Sequence, residues 1–466
     1  MALQVLEAQG PIREDILARK IGLARLVSEA GTRTVGASDR EIRIGGIAEV
    51  FKFLHAADIH LDSPLHGLDR YEGAPSEQLR SATRRALENL ATVAIREQVA
   101  FVVLAGDLYD GDWPDFNTGL FFVGQMARLR EAGIRVFGVF GNHDAANRIT
   151  RTLPLPENVR FFPTDAPTTI RLEDLGVAIH GQSFAQQCTT ADLTQDYPAA
   201  VGGCFNLGIL HTSMSGREGH ANYAPCSEAS LRDRGYDYWA LGHIHQREVL
   251  PGPTVIAYPG NIQGRHIRET GPKGCLLIEV QDQQAQDPIF EPLDVLRWEV
   301  ADVELTGVET KEEALTRIGD RLRQVLERAD GRLVAVRVRL LGQTPIAETF
   351  AADRRQLMAE IRAIGIDVGA DNLWLEKVKN ETTLPVKETS LEEGTPRAEV
   401  AYLVEELTAS VTVGADVGID LSDLRQKISS ELPDLIRADD SAWWQELLRE
   451  AESRLMMELR GGLSED

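Results

Sequence analysis

The chain has 466 residues, with 49 Lys and Arg against 72 Asp and Glu and a formal net charge of −23. That length suggests two or three domains with ample core, and the acidic balance argues against a broad nucleic-acid stripe, since phosphate contacts need Lys and Arg. No charge-free apolar run reaches the roughly 18 residues of a membrane span, and the first fifty residues lack the basic start and apolar core of a secretion signal.

Residues 1–50 carry no identifiable chemistry and are read as an N-terminal extension; because the patterned sequence begins abruptly at Phe51, translation from Val50 is expected, and peptide mapping would test it. The apolar run 51–57 then leads into Asp58-Ile59-His60. Residues i and i+2 of an extended segment point the same way, so carboxylate and imidazole converge on one metal. A helix is expected around 81–90 from apolar spacings of three and four. The run 100–105 ends in Gly106-Asp107-Leu108-Tyr109-Asp110, where the small residue lets the backbone come close and Asp107 can bridge two ions. The run 134–140 ends in Gly141-Asn142-His143-Asp144, with Asn142 supplying a neutral amide oxygen. A strand at 177–181 opens a second half. His211 closes the run 207–210, and Gly242-His243-Ile244-His245 repeats the i, i+2 geometry after 238–241.

Taken singly, each segment has a plain explanation as a turn, an Asx loop or a surface pair. Together, five strand ends carry oxygen and nitrogen ligands in one chain, and five of the ten histidines fall in them. That conjunction points to a dinuclear metal site and phosphate-ester hydrolysis. His55 and His180 read as structural histidines. His66, in the loop after the first segment, and Arg265 and His266, after Gly260 and Gly264, are candidates for substrate contact.

Beyond the strand and helix alternation of 51–290, residues 295–380 alternate strand (297–303), helix (312–327), strand (333–341), helix (353–364) and strand (372–378) as a compact α+β module. Residues 381–400, with Pro385, Gly394 and Pro396, read as a linker. The remainder, 401–466, reads as helical, and its last segment carries a wide stripe of Trp443, Trp444, Leu447, Leu448, Leu455, Met456 and Met457. Cys188, Cys204, Cys226 and Cys275 have no Cys-x-x-Cys spacing, as expected of reduced thiols in a cytoplasm. From Glu291 onward there are 22 basic against 37 acidic residues, leaving 27 against 35 for residues 1–290, so most of the acidity lies outside the candidate site.

The five segments in this order resemble the calcineurin-like metallophosphoesterases. The sequences around 53–65 and 258–266 resemble, within them, the bacterial YhaO branch of SbcD-type DNA repair exonucleases. The resemblance is strong over about 51–280 and implies a four-layer α/β sandwich of two mixed sheets flanked by helices, with 295–380 as a small capping domain. It implies that Asp58, His60, Asp107 and His245 hold one divalent ion and Asp107, Asn142, His211 and His243 another, usually manganese, with iron, zinc or magnesium also tolerated. It implies a bridging hydroxide that attacks phosphorus, with His143 as catalytic acid and Asp144 orienting it. DNA as substrate, a homodimer and an SbcC- or YhaN-like SMC-type ATPase docking on 401–466 are the partners implied, with no membrane. Two other functions stay open: hydrolysis of small phosphoesters, which the acidity favours, and service as an interaction subunit of such an ATPase complex.

Overall fold

The computed structural model describes residues 50–63, 75–110, 116–146, 153–214 and 223–385, with Tyr402, Leu403, Trp444, Leu448 and Ala451 beyond them. Uninterrupted apolar runs form parallel strands covered on both faces. In the first sheet, β1 (Phe51–Ala56), β2 (Phe101–Ala105), β3 (Arg135–Val139) and β4 (Val159–Phe161) run parallel and in that order. The second sheet has the order β5 (Thr168–Leu172), β6 (Val177–Gly181), β7 (Phe205–His211), β8 (Tyr238–Gly242), β10 (Val255–Tyr258) and β9 (Glu248–Leu250), parallel from β6 through β10 with antiparallel edges. The chain then returns to the first sheet as β11 (Gly274–Gln281), antiparallel to β1, with β12 (Gln284–Ala285) and β13 (Ile289–Pro292) on its far side.

Three apolar seams stack these layers. Leu54, Val102, Leu104 and Val136 on the outer face of the first sheet pack against helices α1 (Ser76–Arg96) and α2 (Asn117–Glu131). In α1, Leu79, Ala82, Ala86, Leu87, Leu90 and Ala94 keep one buried stripe at spacings of three and four. Between the sheets, Phe53 stacks on Phe101 at 5.0 Å and meets Tyr238 edge-on at 5.3 Å, offset and T-shaped geometries that suit the ring quadrupole. Outside the second sheet, Trp239 and Leu241 pack with Tyr197, Tyr236 and Leu231, the last from the short helix α4 (Glu228–Arg232). The chain therefore forms the expected α/β sandwich.

A third, parallel sheet follows: β14 (Leu296–Glu304), β15 (Leu333–Gln343) and β16 (Leu373–Thr383), joined through α5 (Lys311–Arg328), α6 (Ala347–Ala352) and α7 (Arg354–Gly369); α3 is the one-turn helix Asn142–Ala146. Thr310 and Asp353 cap α5 and α7 by accepting from Glu313 N and Gln356 N. One face of this sheet buries Val336, Val338, Ile318, Leu322 and Ile361. The other packs Trp298, Ala335 and Trp374 against Leu79 of α1, so the module is seated on the sandwich. Two expectations are corrected here. The module holds the helix α6, and β16 runs to Thr383, because Thr382 and Thr383 pair with Gly342 and Gln343, so residues 381–383 are strand and not linker. Residues 1–49 and almost all of 386–466 lie outside the described residues; within the tail, Trp444 is buried and Tyr402 and Leu403 are exposed.

Candidate dinuclear metal centre

The candidate ligands sit where β1, β2, β3, β7 and β8 end, so both sheets deliver side chains to one edge of the sandwich. Four of them follow sharp backbone turns: Asp58 (φ 50°), His60 (φ 45°), Asp107 (φ 50°) and His243 (φ 97°) all have the left-handed φ that non-glycine residues rarely adopt. Such strain, of order 1–3 kcal/mol each, persists where surroundings enforce it and clusters at functional sites. The turns are fixed by Asp58 N donating to Gly106 O (3.0 Å), His60 N to Asp107 O (3.0 Å) and the His243 amide to the Asp58 carboxylate (3.1 Å).

Two glycines explain why the ligand segments begin as they do. Gly106 has φ +90°, and a Cβ on it would meet the His211 ring. A Cβ on Gly242 would run into the backbone carbonyl of Ala105. Gly242→Ala must push β8 and β2 apart, so it is expected to lower stability by about 1–3 kcal/mol, read as the urea midpoint of the metal-free protein; an unshifted midpoint would show that the sheets are not held this closely.

Three groups of ligand atoms converge, each with its members within 4.8 Å of one another: Asp58, His60 and His245; His60, Asp107 and His143; Asp107, His211 and His243. His60 belongs to the first two and Asp107 to the last two, so the groups form one continuous two-centre pocket. Asp58, His60, Asp107, Asn142 and His211 are nearly inaccessible to solvent. The donor set also suits cations in detail. His211 Nδ1 donates to Ala105 O (3.0 Å), which aims its Nε2 at Asn142 Oδ1 (3.0 Å) and Asp107 Oδ2 (3.4 Å). His245 Nδ1 donates to Glu269 Oε1 (2.7 Å), and its Nε2 lies 3.2 Å from His60 Nε2 and 3.9 Å from Asp58 Oδ1. Ring nitrogens and carboxylate and amide oxygens thus gather within reach of a common cation, and His60 Nδ1 is buried with no hydrogen-bond partner. Burial would lower the His211 imidazole, yet the Asp107 charge and hydrogen bond push it up to about 9. Burial would raise Asp107, but His211 and His60 hold it well below the usual carboxylate range. The pocket thus favours positive charge beside Asp107, and its nitrogen and oxygen donors fit manganese, iron, zinc or magnesium.

His143 lies in the same pocket but is oriented differently from the sequence expectation. Its Nδ1 donates to Asp110 Oδ1 at 2.7 Å, and this bond, ahead of the opposing effect of burial, raises its pKa. Asp144 does not orient it. The buried Asp144 carboxylate accepts from the amides of Leu108 (2.9 Å), Tyr109 (3.0 Å) and Gly141 (2.9 Å), tying the loops after β2 and β3 together. Burial, then Asp107, pushes its carboxyl up to about 7. The reason is helical: Asn142–Ala146 is a turn of helix, in which neighbours point about 100° apart.

Arg265 is not an open cation awaiting phosphate. Its guanidinium pairs with Asp110 Oδ2 (3.1 Å) and Glu269 Oε1 (3.2 Å). His266 is half exposed beside Glu269, at 3.8 Å. His66 lies outside the described residues. His55 is a buried structural histidine held by Tyr238 OH and Leu241 O, with burial lowering it to about 3, and His180 bonds Thr169 and Asn206 away from the site. Two participants were missed. Asp110 lay within a quoted motif, whereas Glu269 stands 24 residues beyond His245 with no motif to signal it.

A two-sheet sandwich that brings Asp, Asn and His from five strand ends into one pocket, with an outlying histidine, defines a metallophosphoesterase. The calcineurin-like phosphoesterase family matches residues 51–247 and the middle domain of metallophosphoesterase YhaO matches 298–383. The chain is 37% identical over 298 residues to metallophosphoesterase YhaO of Bacillus subtilis, covering 63% of this chain and 72% of that protein. It is 25% identical over 406 residues to the DNA double-strand break repair protein Mre11 of Methanopyrus kandleri, covering 80% and 81%. It is 24% identical over 273 residues to the SbcD nuclease subunit of Staphylococcus epidermidis, covering 53% and 70%. The chain belongs to the calcineurin-like metallophosphoesterases, in the family of YhaO.

Proposed function

We propose that this chain hydrolyses DNA phosphodiester bonds with two divalent cations, as an exonuclease or endonuclease of repair type. The observation that carries the reading is the run of three overlapping groups, joined through His60 and Asp107, with His143 in the middle group and held by Asp110. Asp58, His60, Asp107 and His245 would hold one cation and Asp107, Asn142, His211 and His243 the other; manganese is the proposed metal. Bound cations would supply a lowered pKa for water and neutralise phosphate oxygens. With its Nδ1 proton on Asp110, His143 keeps Nε2 for protonating the departing oxygen.

Three observations support a polymer as substrate. Two relatives carry the names of DNA repair and nuclease proteins. The module seated on the sandwich, proposed as a capping domain, is more than a small ester needs. An open groove of about 330 Å³ is lined by Arg268, Arg337, Arg339 and Lys379; Arg337 is paired with Glu376 and Arg339 with Asp302, so its basic character on this acidic chain rests on Arg268 and Lys379. The acidity favours the rival reading, hydrolysis of small phosphoesters. Manganese-dependent cleavage of end-labelled DNA beside bis-p-nitrophenyl phosphate separates the two. A role only as an interaction subunit leaves the complete ligand set without a purpose.

Among the described residues no helix is long and apolar enough to cross a membrane, and all four cysteines are free thiols; a cytoplasmic location is proposed. A homodimer and an SMC-type ATPase partner held by 401–466 complete the proposal. Deleting residues 395–466 is expected to abolish co-purification with such an ATPase and to spare hydrolysis of the small ester; retained co-purification would remove the docking role.

A further inference from the structure

Glu269 is almost fully buried, and its carboxylate collects four donors. Oε1 accepts from His245 Nδ1 (2.7 Å) and Arg265 Nη2 (3.2 Å), and Oε2 from Arg265 N (2.7 Å) and Asn261 Nδ2 (3.0 Å). A carboxylate only accepts, so this contact fixes the His245 proton on Nδ1 and turns Nε2 into the pocket. The other branch of Arg265 reaches Asp110 Oδ2 (3.1 Å) and Ser63 Oγ (3.3 Å), and Asp110 in turn holds His143. One run of charge-assisted bonds thus joins His245, Glu269, Arg265, Asp110 and His143 along a single rim of the site.

The loop that carries Glu269 is also fastened to the third-sheet module. Trp298 Nε1 donates to Gly264 O (3.0 Å), Gln263 Nε2 to Leu296 O (2.6 Å) and Val295 N to Gln263 Oε1 (2.9 Å), while Gly271 N donates to Trp298 O (3.0 Å). At its far end Lys273 Nζ donates to His245 O (2.9 Å).

We propose that Glu269 is the positioning carboxylate of the cation site served by His245, that Arg265 is a structural clasp between this carboxylate and Asp110 in place of a phosphate contact, and that the Trp298 anchor makes this cation site depend on how the third-sheet module is seated. The proposal rests on the two-cation reading above. Its effect is local to one of two sites, which a general packing role would not produce.

The test is calorimetric titration of Mn²⁺ into the metal-free full chain, with thermal unfolding in parallel. Wild type is expected to bind in two steps. Glu269→Gln should weaken one step about 10–100-fold and leave the other unchanged, since partners of metal-bound histidines carry effects of that size. Glu269→Asp, which keeps the charge, should fall between. Trp298→Phe, which removes the indole N–H near Gly264 together with part of the ring, should weaken the same step by up to about 10-fold, the worth of one hydrogen bond, while leaving the other step unchanged. Two unchanged steps in Glu269→Gln, or equal weakening of both with a lowered unfolding temperature, would overturn the positioning role; two unchanged steps in Trp298→Phe would overturn the coupling. If wild type takes up no Mn²⁺ at all, the two-cation reading itself fails and the proposal falls with it, an outcome distinct from wild-type binding with an indifferent Glu269→Gln.

Discussion

Asp107→Asn is expected to lower manganese-dependent turnover of bis-p-nitrophenyl phosphate by about 10³-fold or more. Among the described residues Asp107 is the only carboxylate whose oxygens lie among both His60 with His143 and His211 with His243, so the change removes one negative charge from the proposed meeting point of both cations while keeping the side-chain shape. Charge stabilisation by bound metal amounts to several kcal/mol, and each 1.36 kcal/mol is about tenfold in rate. Calorimetry should show fewer than two Mn²⁺ bound in the same variant. Near-normal turnover with two tightly bound ions would remove Asp107 from the bridging position.

His143→Ala is expected to behave in the opposite way toward metal. It should keep both Mn²⁺ and lose about 10²–10⁴-fold in turnover, the usual contribution of a positioned acid. Loss of one cation would make His143 a ligand, as its place in the group with His60 and Asp107 would then suggest. The two neighbouring carboxylates should separate cleanly. Asp110→Asn should lower turnover, since it weakens the 2.7 Å contact that orients His143. Asp144→Asn should lower stability by about 1–3 kcal/mol, because an amide nitrogen would face donors now satisfied by the carboxylate.

The proposed metal ligands were legible in the sequence because each stands at the end of an apolar run, and strand ends on one edge of parallel sheets have to gather. The strand period predicts that Asp58 converges with His60 and His243 with His245, but Asp58, His60 and His243 lie past the strand ends with left-handed φ: Asp58 and His60 meet through turns, and His243 and His245 enter different groups. The reading failed where adjacency in sequence was taken for adjacency in space: Asp144 follows His143, but a helical turn sends them apart, and Asp110, from another strand end, reaches the ring instead. Glu269 could not be found for a related reason, since loop 259–273 has no periodicity and its placement depends on Gln263 donating to Leu296 of β14 and on Trp298 of β14 donating to Gly264. Arg265 was visible as a charge, but its engagement by two carboxylates was not. In the third sheet, strand and helix periods marked the order of elements, and the overrun of β16 past residue 380 was hidden because Glu381, Thr382 and Thr383 look like polar linker until they pair with β15.

The central claim is that the two-centre pocket cuts DNA. Its most direct test is manganese-dependent degradation of end-labelled DNA by the full chain, with and without an SMC-type ATPase, compared with His143→Ala and with bis-p-nitrophenyl phosphate as a small-ester control. The account predicts that wild type cleaves both substrates, that a chelator stops both and added Mn²⁺ restores them, and that His143→Ala cleaves neither at a comparable rate. Cleavage of the small ester alone, even with the ATPase present, would contradict the assignment of DNA as substrate.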